Sequence, residues 1–61
     1  MEDYQERVVE ERKELNVKID KLSHFLNSTT GISSMEATRM NRQLIYMGLY
    51  SDVLGERIDS F

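Results

Sequence analysis

Apolar residues recur at helical spacing through the second half of the chain. From Met40 to Phe61 they step alternately by four and three residues, which is the heptad spacing of a helix that packs along one seam. The seam consists of Met40, Leu44, Met47, Ser51, Leu54, Ile58 and Phe61, and its only polar member is Ser51. A second apolar stripe, roughly on the opposite side of this helix, consists of Ile45, Tyr46, Leu49, Tyr50 and Val53. Because a helix with one partner buries one stripe, two stripes predict partners on two sides.

The first half of the chain predicts another helix, from about residue 3 to about residue 26. Asp3 is the expected N-cap, and Glu6 follows three residues later as in a capping box. Arg12 fills a seam position between two apolar residues. The expected inner face consists of Val8, Leu15, Ile19, Leu22 and Leu26.

Residues 27–33, between the two helices, are rich in Asn, Ser, Thr and Gly and therefore predict a turn. Gly31 can adopt a positive φ at little steric cost. Ser33 and Glu36 form the capping-box pattern that opens the second helix, which we expect to span about residues 34–60. The predicted fold is all-α: residues 1–61 form one domain, an antiparallel two-helix hairpin.

The size of the chain predicts assembly of this hairpin into a homo-oligomeric helical bundle. A chain of 61 residues buries a small core, and small domains usually need disulfides, a metal or partner subunits. The sequence has no Cys and one His, so partner subunits are the expected solution and no metal is expected. The predicted subunit interface consists of Met40, Leu44, Met47, Tyr50, Leu54 and Ile58.

Charge and composition narrow the classes of function. The formal net charge of −3 disfavours a binder of DNA or RNA polymers, whose surfaces are normally basic. No apolar run is long enough for a membrane span, and the acidic N-terminus is unlike a secretion signal, so we expect a cytoplasmic location. His24 is the only His, and the carboxylates are spaced as solvated helix faces. We therefore expect neither an enzyme nor a bound cofactor.

Gly48 and Gly55 lie on nearly the same side of the second helix, where each glycine lowers helix stability. Either they mark a close approach of another segment, or they are exposed and tolerated. Tyr46 and Tyr50 also have two possible roles, because their rings can stack on a base or pack at an interface.

The turn is the segment of the sequence most similar to a binding site. It combines hydroxyl groups, backbone amides around a glycine and a helix N-terminus, which together favour anions. The candidate ligand-binding residues are Thr30, Gly31, Ser33 and Arg39. The alternative is an ordinary hairpin turn with a good N-cap.

Two stretches resemble a family of short bacteriophage helical-hairpin proteins. The first is Tyr4-Gln5-x-Arg7-Val8-Val9-x-Glu11, followed by Glu14-Leu15, Lys18-Ile19, Lys21-Leu22 and Phe25-Leu26. The second is Gln43-x-x-x-Met47-x-x-Tyr50-x-x-Val53-Leu54-x-x-Arg57-Ile58. The family includes small crAss-like phage proteins and anti-CBASS sponges, which form helical oligomers and sequester cyclic oligonucleotide immune signals.

The resemblance implies a sponge that binds a cyclic oligonucleotide between subunits without cleaving it, in the host cell cytosol if the chain is phage-encoded. Characterised sponges carry an N-terminal segment that contributes to a cyclic-dinucleotide pocket, and we expect this chain to lack it. Those pocket residues are therefore not transferred, and the turn remains the candidate site. The alternative function is a structural or adaptor hairpin that binds another protein through an apolar helix face.

Overall fold

A computed structural model describes all 61 residues and contains two α-helices of 26 residues each. Helix α1 spans Asp3–Ser28 and helix α2 spans Ser34–Asp59. The helices are antiparallel, because residues early in α1 meet residues late in the chain: the ring of Tyr4 lies 5.8 Å from that of Phe61, centroid to centroid. The prediction of an all-α hairpin is confirmed.

Helix α1 begins and ends at slightly different residues from those predicted. Its N-cap is Glu2 rather than Asp3, because the side chain of Gln5 accepts a hydrogen bond from the Glu2 backbone N–H at 2.9 Å. At its other end the helix continues past Leu26. There the Ser28 hydroxyl donates to the carbonyl of His24 at 2.7 Å, inside the last turn.

The connector between the helices, residues 29–33, has the local chemistry that the sequence predicts. Gly31 has a φ of 89°, a backbone conformation that other residues rarely adopt. Ser33 is the N-cap of α2, and its hydroxyl oxygen accepts from the Glu36 backbone N–H at 3.1 Å. These two residues reverse the chain and start the second helix.

The core lies between the helices and is small. Val8, Leu15 and Leu54 are its buried apolar residues, and Ile19, Met47 and Ile58 pack against them. Only 5 of 61 residues are buried, and the molecule is a rod of 46 × 15 × 13 Å. The hairpin is therefore one helix thick, and each helix exposes the side that faces away from its partner.

Neither helix contains an apolar stretch long enough to cross a membrane.

Candidate functional site

A polar layer joins the two helices within the otherwise apolar seam. The residues that interrupt the two apolar patterns, Arg12 on α1 and Ser51 on α2, meet here. The Arg12 Nε donates to the Ser51 carbonyl at 3.0 Å, and the Ser51 hydroxyl donates to Asn16 Oδ1 at 2.6 Å. Because Ser51 is buried, these bonds satisfy polar groups that would otherwise destabilise the interface. The layer therefore fixes which residues of the two helices face each other.

Gly55 makes room for this layer. A Cβ atom on Gly55 would lie 2.7 Å from Nη2 of Arg12, too close for a van der Waals contact, so the guanidinium occupies space that any other residue would fill. A Cβ atom on Gly48 would meet nothing within 4 Å. Gly55 therefore marks a close approach, which is made by a side chain and not by backbone. Gly48 instead faces open space, where the helix tolerates a glycine.

The largest concave surface is an open groove along one side of α2, with a volume of about 570 Å³. Each lining residue has another lining residue three or four positions away, so one side of the helix presents them together. The groove is lined by Arg39, Arg42, Gln43, Tyr46, Met47 and Tyr50.

Helix α1 contacts one wall of this groove through Glu11. The Tyr50 hydroxyl donates a hydrogen bond to the carboxylate of Glu11, which holds the Tyr50 ring against the hairpin. The ring of Tyr46 has no such partner and is 62% exposed. Tyr50 is therefore linked to α1 by a hydrogen bond, whereas Tyr46 is not.

The cations of the groove are available for an anion. Arg39 lies 3.8 Å from Glu36, an exposed contact of a kind that stabilises little, and Arg42 has no ion-pair partner in the hairpin. Guanidinium groups can bind phosphates through two parallel hydrogen bonds, and tyrosine rings can stack on nucleobases. The groove therefore offers the two kinds of group that a nucleotide needs, on a chain whose net charge is −3.

The structure divides the predicted ligand-binding residues between two places. Thr30, Gly31 and Ser33 lie exposed in the connector, where the Ser33 hydroxyl is used as the helix cap. Arg39 lies in α2 and lines the groove, which none of the three connector residues does. From the sequence, Arg42 was expected beside Arg39 as a second positive charge one turn into the second helix, but Gln43 was not expected at a site. The helical spacing of Arg42 and Gln43 from Arg39, Tyr46 and Tyr50 indicates that they share one side of α2. This side can be recognised as a groove only when the face of α2 that α1 covers is known.

The predicted subunit interface lies largely on the face of α2 that meets α1. Leu54 is 1% exposed inside the hairpin, Met47 and Ile58 pack against the core, and Met40 and Leu44 are half-buried. Tyr50 is the exposed member of the set. The seam is therefore used within one chain, and a role for these residues between subunits stays a prediction.

No group of three or more His, Asp or Glu side chains is arranged to hold a metal ion. A second hollow on the surface of α1 is lined by Asp3, Glu6, Arg7 and Glu10, which is a solvated helix face.

A family model described as Sequestin matches residues 2–60, almost the whole hairpin. The chain belongs to the Sequestin family. The family name fits the sponge-type phage hairpins that the sequence resembles, and it indicates a sequestering role rather than catalysis. No curated protein and no solved structure matches the chain.

Proposed function

We propose that the protein sequesters cyclic oligonucleotide signals of host immunity and leaves them chemically intact. The observation that supports this proposal best is the groove on α2, in which Arg39 and Arg42 lie beside Tyr46 and Tyr50. A cyclic oligonucleotide combines phosphates with flat bases, and these four side chains suit both parts. Membership in the Sequestin family supports capture of a small ligand or another target.

The groups that line the groove are suited to holding a ligand. None of the six is a carboxylate or a histidine, and the neighbouring Glu11 carboxylate accepts a hydrogen bond from Tyr50. Because the groove is open on one side, we propose that a second subunit completes the enclosure of the ligand. The connector residues Thr30, Gly31 and Ser33 form the competing location for the phosphates.

Calorimetry against cyclic di- and trinucleotides tests this proposal. We expect a dissociation constant in the nanomolar-to-micromolar range that makes sequestration effective, and recovery of unaltered nucleotide after the protein is heat-denatured. Arg39→Ala should weaken binding at least about tenfold, because a charged hydrogen-bond donor to phosphate is lost. Lys13→Ala, which changes the net charge equally on α1, is the control and should bind normally.

The variant Thr30→Val distinguishes between ligand binding at the groove and ligand binding at the connector. If Thr30→Val weakens binding and Arg39→Ala does not, the ligand site lies at the connector. Absence of heat at ligand concentrations of about 100 μM would contradict the sponge and leave a protein-binding adaptor.

The adaptor remains the second candidate because of one observation. Ile45, Leu49 and Val53 are 61%, 56% and 50% exposed, in a line along the outer side of α2.

A further inference from the structure

The exposed apolar line on α2 has a symmetric order. Ile45, Leu49 and Val53 form what we call the outer stripe, with Leu49 at its centre and an apolar residue four positions away on each side. Arg42 and Glu56 flank it, each seven positions from Leu49. At about 100° of rotation per residue, all five point within roughly 40° of one direction. The pattern of apolar residues is therefore the same in both directions along the helix, whereas the two flanking residues carry opposite charges.

This order suits an antiparallel copy of the same helix. We propose that a second copy of the chain docks on the outer stripe, with α2 antiparallel to α2 and a two-fold axis at Leu49. Leu49 then meets the partner's Leu49, and Ile45 lies level with the partner's Val53. Arg42 lies level with the partner's Glu56, and the symmetry makes this ion pair twice.

Charge selects this orientation over the parallel one. In a parallel pair related by two-fold symmetry, Arg42 would lie beside the partner's Arg42, and Glu56 beside the partner's Glu56. Like charges at such spacing repel, whereas the antiparallel arrangement pairs every charge at the ends of the stripe with its opposite. A second copy is also the occupant that matches both ends of the stripe without a further assumption about another protein.

The pairing places two copies of the groove on one side of the assembly. Arg39, Tyr46 and Tyr50 lie on one flank of the stripe, whereas Asp52 and Asp59 lie on the other. A two-fold axis perpendicular to both antiparallel helices keeps equivalent flanks on the same side. The tyrosines of both copies then meet near the axis, with Arg39 of each copy toward the ends, so each groove borders residues of the partner. This composite groove rests on the proposed function, but the pairing of the helices does not.

A charge swap tests the pairing without any ligand. In sedimentation experiments, Arg42→Glu alone and Glu56→Arg alone should each dimerise at least roughly tenfold more weakly, because both symmetric ion pairs become repulsive. An equimolar mixture of the two variants should associate, since every pair across that interface is again of opposite charge. If the unchanged protein self-associates but the mixture does not, or if the unchanged protein is a monomer at about 1 mM, the proposal is overturned.

Cysteine cross-linking tests the position of the axis, because the chain contains no Cys of its own. Leu49→Cys should form a disulfide between two copies under mild oxidation, since the two Cα atoms lie close together only at the axis. Asp52→Cys, also at an exposed position but off the stripe, is the matched control and should remain reduced. Equal cross-linking of both variants, or preferential cross-linking of Asp52→Cys, would overturn the proposal, and neither result depends on whether the groove binds a nucleotide.

Discussion

At the scale of single residues, two glycines of the same helix have opposite surroundings. Gly48 faces open space, whereas Gly55 faces the Arg12 guanidinium. The sequence shows both glycines at equivalent positions of the helix and cannot distinguish them, because the neighbour of each is set by the alignment of α1 against α2. The same alignment brings Arg12 to Ser51, although each looks like an isolated interruption in its own helix.

Alanine at the two glycines should therefore give different free energies of unfolding. Gly48→Ala should stabilise by about 1 kcal/mol, since only the helix propensity changes. Gly55→Ala has the same gain in propensity but displaces Arg12 from Ser51, so we expect it to be at least about 1 kcal/mol less favourable. Urea denaturation of both variants measures the difference. In an Arg12→Ala background the two substitutions should have nearly the same effect, and a difference that persists there would contradict the role assigned to Arg12.

At the scale of the helices, local sequence signals predict most of the observed structure. The cap at Ser33 and the positive φ at Gly31 depend on residues near in the chain, so they can be recognised without the fold. The first N-cap was wrong by one residue, because Glu2 with Gln5 and Asp3 with Glu6 have equivalent spacing. The groove was not predicted as a site, because it requires knowing which side of α2 is left uncovered by α1.

The cap of α2 should contribute measurably to stability. Ser33→Ala removes the hydroxyl that accepts from the Glu36 N–H, and we expect a loss of about 1 kcal/mol in the free energy of unfolding. The neighbouring Ser34, whose hydroxyl makes no hydrogen bond in the hairpin, supplies the control Ser34→Ala. Thermal unfolding followed by circular dichroism compares them. Equal melting temperatures for the two variants would show that the cap is dispensable.

At the scale of the whole molecule, the two apolar surfaces of α2 have separate roles. Leu54 on the inner surface is buried against α1, whereas Leu49 on the outer surface is more than half exposed. The sequence shows both stripes, and only the structure shows which one α1 covers. This division makes folding and association separable by mutation.

Aspartate on the two surfaces should produce different defects. Leu54→Asp puts a charge into the core and should abolish most of the helical circular dichroism signal. Leu49→Asp puts the charge on the outer stripe and should retain the helical signal while sedimenting as a monomer. If Leu49→Asp unfolds the chain as Leu54→Asp does, the hairpin has no independent stability, and the inner and outer surfaces act together.

The buried residues are distributed unevenly along the rod, and their distribution determines which end of the hairpin opens first. Its buried residues are Val8, Leu15, Ser51, Leu54 and Gly55, and all of them lie in the half that is distant from the connector. In the other half, Leu22, Leu26 and Leu44 are only half-buried. The free energy of local opening therefore rises from the connector toward the polar layer. The covalently joined end is the looser end, and the cooperative unit of this fold is anchored near the chain termini.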